Sequence, residues 1–99
     1  MLNCRVSADP RDVLERYPHA VVLIREWAWT IPHTTGGLLR GVNFDTKLGV
    51  VVLNYDTAMN SRRKAVGLND IKEASWNAAE TEFSFTNDEG ITVTIVPLD

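Results

Sequence analysis

Residues 20–56, AVVLIREWAWTIPHTTGGLLRGVNFDTKLGVVVLNYD, decide the fold of this 99-residue chain. The stretch contains three runs rich in β-branched and aromatic residues, at 20–31, 38–45 and 48–55, and turn-forming residues separate them. Runs of this kind predict neighbouring β-strands. We therefore expect the core of the protein to be built on this stretch.

The first predicted strand alternates between two faces, and one face carries Arg25 together with Trp27 and Trp29. A guanidinium two residues from a tryptophan on the same face can form a cation–π contact, and Trp–Arg clusters are common at the centres of protein interfaces. These three residues are therefore candidate partner-binding residues. In the alternative interpretation, which the pattern favours, the tryptophans fill a small core and Arg25 extends into solvent.

A short helix is predicted before this stretch. Ser7 or Asp9 can cap its N-terminus, Pro10 suits the first helical position, and Pro18 stops it. A helix of two turns is not stable alone, so it must pack on the sheet.

The chain ends in a predicted β-hairpin. Apolar and polar residues alternate over 80–86 and again over 91–95, and residues 87–90 have turn chemistry. The alternation predicts one buried face and one solvent-facing face that is rich in Thr and Glu.

The connecting segments have weaker patterns. Residues 32–37 are predicted to form a loop, and residues 57–67 a polar connection. Residues 68–80 fit two structures. Asp70 and Glu73 have the spacing of a helix start, whereas 71–76 fits a strand that would form a three-stranded meander with the final hairpin, and we favour the meander.

Charge is unevenly distributed along the chain. The net charge is −3, but residues 1–66 hold nine of the ten basic residues, whereas residues 67–99 hold seven of the thirteen acids. An acidic region can attract a basic partner, although acids also serve simply to keep a small domain soluble. The candidate residues for such a contact are Glu80, Glu82, Asp88 and Glu89.

Basic residues supply an alternative site. Arg40 and the adjacent Arg62, Arg63 and Lys64 are the candidates for nucleic-acid binding, although a run of this kind is more often a solvated surface. An acidic protein makes general nucleic-acid binding less expected, because affinity for the phosphate backbone depends on many basic contacts.

The chemistry of an enzyme is not indicated. The two histidines, His19 and His33, have no partner at a diagnostic spacing, and the serines lack a nucleophile motif. No zinc or EF-hand spacing is present either. We therefore expect a protein without catalytic activity, cofactor or metal ion.

Part of the central stretch, LLRGVNFDTKLGVVVLN, loosely resembles the first half of Sm-like RNA-binding barrels. Gly41, Asp45 and Leu48 match the signature of that family, but Gly49 stands at its Asn position. The Arg-Gly signature of the second half is missing. The resemblance implies a similar style of fold, a small helix with a barrel, and it puts RNA binding in doubt.

The sequence thus predicts one α+β domain over residues 1–99, with a short N-terminal helix and an antiparallel sheet that is strongly bent or barrel-like. One cysteine and the lack of a recognisable signal peptide or membrane span favour a cytoplasmic location. The leading functional hypothesis is a non-catalytic protein-binding module, such as an immunity or inhibitor protein that blocks a basic toxin or nuclease. The alternatives are a nucleic-acid-binding small barrel and a self-associating structural subunit.

Overall fold

A computed structural model describes residues 6–28 and 30–98 of the chain. In this part, eight strands form one sheet in which every neighbouring pair is antiparallel, in the order β1-β6-β7-β8-β2-β3-β4-β5, and one helix accompanies it. The predicted α+β class is confirmed. The elements are β1 (Val6–Ser7), α1 (Pro10–Arg16), β2 (Val21–Ala28), β3 (Ile31–Asp45), β4 (Val50–Asp56), β5 (Ser61–Gly67), β6 (Glu73–Trp76), β7 (Phe83–Thr86) and β8 (Thr92–Val96).

Helix α1 forms as its sequence predicts. Asp9 is the N-cap, and its carboxylate accepts a hydrogen bond from the backbone N–H of Arg11 at 3.0 Å. Pro10 occupies the first turn, where a missing N–H costs nothing. The side chains of Val13 and Leu14 are buried in the core, which gives this short helix the packing it needs.

Strand β3 is unusually long and belongs to both halves of the sheet. It pairs with β2 from Ile31 to Leu38 and then with β4 from Leu38 to Asp45, and the register shifts between Leu39 and Gly41. A β-bulge of this kind bends a strand. Gly37 lies close to the bend, where an added Cβ would overlap the backbone carbonyl oxygen of Asp56.

The prediction of a loop at residues 32–37 is wrong, because these residues continue the pairing of β3 with β2. Pro32 is tolerated because no second strand among the described residues pairs with β3 at this point. The tip of this hairpin extends beyond the rest of the sheet. Strand β8 pairs with β2 only as far as Arg25, so Glu26 to Ala28 pair with β3 alone.

The bend brings the second half of the sheet over the inner face of the first half, and a single apolar core lies between them. Polar side-chain contacts also join the halves, and one of them is the hydrogen bond of 3.2 Å between the hydroxyl groups of Thr35 on β3 and Tyr55 on β4. Glu26 on β2 forms a salt bridge of 2.9 Å with Lys64 on β5, and Asn87 after β7 donates to the carbonyl of Gly67 at 3.2 Å. The buried apolar residues are Val13, Leu14, Ala20, Val22, Ile24, Leu39, Val51, Leu53, Tyr55, Val66, Phe83, Phe85, Ile91, Val93 and Ile95.

The C-terminal meander is confirmed: β6, β7 and β8 pair in succession, and no helix forms at Asp70, whose φ of 58° is left-handed. The segment 57–67 is not only a connection, because Ser61–Gly67 forms β5. A polar sequence suits this strand, since β5 pairs only with β4 among the described strands and charged side chains protect such an edge. Within the described residues, no helix has the length and apolar character to cross a membrane.

Candidate protein-binding surface

The outer face of β2 exposes large apolar side chains. Val22 and Ile24 point into the core, so alternation places Leu23, Arg25 and Trp27 on the opposite face. Leu23 is 40% exposed and Trp27 is 55% exposed. The interpretation of the tryptophans as core residues is therefore wrong for Trp27, because the folded-back second half covers the other face of the strand.

Arg25 lies over Trp27 as the sequence predicts. The guanidinium carbon is 5.6 Å from the centroid of the indole ring, within the range of a cation–π contact. Arg25 makes no salt bridge with any carboxylate in the described part of the chain. Its charge is thus available to a ligand beside the exposed indole. Trp29, the third residue of this predicted cluster, lies outside the described residues.

The apolar surface continues from β2 onto β3. The side chain of Leu23 lies over Gly36, where an added Cβ would be 2.6 Å from Leu23 Cδ2. Leu38 pairs with Val21 and is 46% exposed. We call the outer-face residues Leu23, Arg25, Trp27 and Leu38 the Trp27 surface; it extends for about 20 Å along β2.

One of the two acidic turns adjoins this surface. Asp88 and Glu89 are exposed in the turn between β7 and β8. The next residue, Gly90, lies against Trp27, since a Cβ built there would be 3.9 Å from Cδ1 of the indole. The turn that carries these two predicted partner-binding residues therefore adjoins Trp27, while the Glu89 carboxylate itself lies near Gly67 at the end of β5.

The other two acids are elsewhere. Glu80 and Glu82 belong to the turn between β6 and β7, whereas Asp88 and Glu89 follow the far end of β7. Consecutive turns of an antiparallel meander lie at opposite ends of the shared strand. The four acids therefore do not form one patch, and only the pair in the second turn belongs beside the Trp27 surface.

The basic candidates are also divided. Arg40, Arg62 and Arg63 line one depression between the ends of β3, β4 and β5. Lys64 does not line it, because its ammonium group reaches across the molecule to Glu26. The four residues are thus not a single surface for a nucleic-acid strand.

The histidines are separated as well. His19 precedes the first residue of β2, whereas His33 is exposed near the tip of the hairpin, opposite Glu26. Among the residues that the structure describes, no three His, Cys, Asp or Glu side chains are grouped so that they could hold a metal ion.

Sequence reasoning missed the aliphatic part of the surface and the depression beside it. Leu38 also borders a depression of about 420 Å³, whose other lining residues are Arg16, Tyr17, Pro18, His19, Ala20 and Leu98. Leu23 could have been recognised, because it alternates in phase with Arg25 and Trp27. The depression could not, since it joins the end of α1 to the C-terminal segment.

Comparisons with known proteins add no relative: the chain matches no protein-family model, and neither the curated proteins nor the solved structures include a significant match to it. The functional argument therefore depends on the geometry of the surface.

Proposed function

We propose that this protein is a non-catalytic binding module that attaches to a basic protein partner through the Trp27 surface and acts as an inhibitor, as immunity proteins do. The single observation that carries the proposal is the half-exposed indole of Trp27, which lies beneath the Arg25 guanidinium on the outside of the sheet. An exposed tryptophan costs solubility, and a contact with a partner explains its position.

The composition of the Trp27 surface supports a protein partner. Tryptophan and arginine are the residue types that contribute most binding energy in protein interfaces. Leu23 and Leu38 add apolar area on the same face, so that a partner can exclude water around the indole.

The surroundings of the surface provide further contact area. A stable interface needs about 800 Å² from each partner, so residues beside the Trp27 surface would also take part. On the same face, β7 and β8 present paired hydroxyls: Ser84 bonds Thr94 at 2.9 Å, and Thr86 bonds Thr92 at 3.0 Å. These hydroxyl pairs make a regular polar surface beside the apolar one, and an interface rim has this character.

A basic partner is favoured by the two acids of the turn beside Trp27, which outnumber the single positive charge of Arg25 on the surface itself. Asp88 and Glu89 are exposed in the adjoining turn, and the protein as a whole has a net charge of −3. Charges at the rim of an interface mainly increase the association rate, and salt screens their effect. The affinity should therefore depend partly on Trp27 and partly on ionic strength.

The test is binding to the basic proteins that are encoded by genes next to its own, measured by calorimetry with purified components. Trp27→Ala should weaken binding by at least about thirtyfold, as for a central interface residue. Leu48→Ala is the matched control, because Leu48 is 69% exposed but lies in the turn between β3 and β4. It should bind as the wild type does.

A double variant, Asp88→Asn with Glu89→Gln, isolates the electrostatic part. It should lower the association rate severalfold at low salt and have little effect at high salt. Equal affinity of the wild type and Trp27→Ala for a neighbour that binds would refute this surface as the site. Light scattering tests the competing hypothesis of self-association, since a dimer that Trp27→Ala dissociates would make a second copy the partner.

A further inference from the structure

A depression between β3, β4 and β5 has the composition of an anion site, and it is separate from the Trp27 surface. We propose that it binds the phosphate group of a small molecule. Its volume is about 350 Å³, at the lower end of the range for small-molecule pockets. Its lining residues are Arg40, Asn54, Tyr55, Ser61, Arg62 and Arg63.

One hydrogen bond holds the Arg63 side chain in place and leaves its other N–H donors free. Its Nε donates a hydrogen bond to Oδ1 of Asn54, on the neighbouring strand, at 3.2 Å. A guanidinium has five N–H donors, so this bond fixes one edge of the group and leaves the terminal nitrogens free to donate to an oxyanion. Among the described residues, Arg63 forms no salt bridge.

The carboxylate of Asp56, which contacts two of the lining residues, is already engaged. Asp56 lies 3.5 Å from Nε of Arg40, and its other oxygen accepts a hydrogen bond of 2.6 Å from Ser61 Oγ. The Arg40 Nη1 also donates to Ser61 Oγ at 3.4 Å. Asp56 thus neutralises the guanidinium of Arg40, and Arg63 keeps an excess of positive charge at the depression in a protein whose net charge is −3.

Protection of the sheet edge does not explain this whole arrangement. Charged residues on β5 discourage pairing with another strand, which accounts for Arg62 and Arg63. Edge protection does not account for Arg40, because Arg40 lies on β3, two strands away from β5. Arg40 reaches the same depression and donates a hydrogen bond to Ser61 there. Arg62 pairs with the buried Tyr55, so its side chain points to the opposite face of β5 from Arg63. The guanidinium groups of Arg40 and Arg63 remain on the side of the depression, and a bound dianion would be attracted by both.

A small phosphorylated molecule fits better than a nucleic acid. Binding to a nucleic-acid backbone uses a series of basic side chains along a groove. Here the basic residue that follows Arg63, Lys64, is directed to Glu26 instead, and the acidic turn at 88–89 adds repulsion elsewhere on the molecule. A single depression with the guanidinium groups of Arg40 and Arg63 beside the hydroxyl of Ser61 suits one phosphate group, which accepts several charge-assisted hydrogen bonds.

The test is an NMR titration that follows the backbone amide shifts at constant ionic strength. Inorganic phosphate is the ligand in one titration, and a nucleoside monophosphate is the ligand in a second. Saturable shifts at Asn54, Ser61, Arg62 and Arg63 are expected. Arg63→Gln should weaken binding by about tenfold, the effect of one lost charge-assisted contact. Lys64→Gln is the matched control, with the same change of charge on the same strand, and it should leave the affinity within about twofold.

The outcomes separate the sources of the phosphate. Tighter binding of the nucleoside monophosphate than of phosphate would support a small-molecule ligand, and similar binding of both would support free phosphate at the same site. Shifts without saturation, or equal weakening by Lys64→Gln, would overturn the proposal, since either result describes general electrostatic attraction. A single-stranded oligonucleotide that binds far more tightly, with a steep dependence on salt, would assign the site to nucleic acid and also overturn it.

Discussion

The side-chain amide of Asn87 donates a hydrogen bond to the backbone carbonyl of Gly67, and these two residues join the turn after β7 to the end of β5. Asn87 is 1% exposed. Its Oδ1 also accepts hydrogen bonds from the backbone N–H groups of Glu89 and Ile91, at 3.1 and 3.0 Å. One side chain therefore shapes the acidic turn beside Trp27 and fastens the two halves of the bent sheet together.

Replacement of Asn87 by alanine should be strongly destabilising. The substitution leaves three backbone groups without their partner, two N–H donors and one carbonyl, so the free energy of unfolding should fall by about 2–4 kcal/mol. Denaturant unfolding measures the effect. Asn43→Ala is the control, because Asn43 is exposed on β3, and it should change the free energy of unfolding by no more than about 0.5 kcal/mol. Similar losses in both variants would contradict the fastening role.

Two glycines of β3 should respond oppositely to alanine. An added Cβ at Gly37 overlaps the carbonyl oxygen of Asp56, whereas at Gly41 it meets nothing within 4 Å. Because the obstacle at Gly37 is backbone, Gly37→Ala should lower the free energy of unfolding by at least about 3 kcal/mol. Gly41→Ala should be neutral or stabilising by up to about 1 kcal/mol. Thermal and denaturant unfolding measure the stability of both variants. Equal changes in the free energy of unfolding would show that the bend does not depend on the close approach at Gly37.

Trp27 should matter little for folding compared with a core aromatic residue. Trp27→Ala should lower the free energy of unfolding by less than about 1 kcal/mol, since much of the indole is already in water. Phe85→Ala removes a fully buried ring and should cost about 3–5 kcal/mol. If the two substitutions cost the same in denaturant unfolding, Trp27 is part of the core and the binding surface must be sought elsewhere.

The salt bridge between Glu26 and Lys64 should stabilise the fold only modestly. Both side chains are partly exposed, at 41% and 31%, so water and salt screen their attraction. A double-mutant cycle with Glu26→Gln and Lys64→Gln should give a coupling energy below about 1 kcal/mol that decreases as salt is added. A coupling that salt does not reduce would show a more deeply shielded contact.

Local patterns predicted much of the architecture. Strict alternation with turn residues between the runs was enough for β7 and β8, and the cap at Asp9 was enough for α1. It was not predictable in the same way which face of β2 turns towards the core. Both of its faces begin with apolar residues, and Arg25 and Glu26 put one charge on each. The face that turns inward is decided by β4 and β5, which fold over it after the bend in β3, and no local signal reports that bend.

The candidate site was predictable only in part, for the same reason. Arg25 and Trp27 are two residues apart on one strand, so their contact follows from the period of a strand. The approach of the turn that carries Asp88 and Glu89 to Trp27 follows from the order of strands in the sheet, and so does the distance of Glu80 and Glu82 from it. The convergence of Arg40 with Arg63 depends in addition on the β-bulge at Leu39 and Gly41, which sequence alone did not locate.

The hairpin tip that carries Trp27 is paired on one side only, and this affects how the tip could adapt to a partner. Glu26 and Trp27 belong to a two-stranded ribbon, whereas Ile24 is bonded to strands on both sides. A ribbon of this kind opens at a smaller free-energy cost than the centre of a sheet, so its amide hydrogens exchange with solvent sooner. The indole can therefore adjust to a partner by local opening while the hydrogen-exchange protection of the core stays intact.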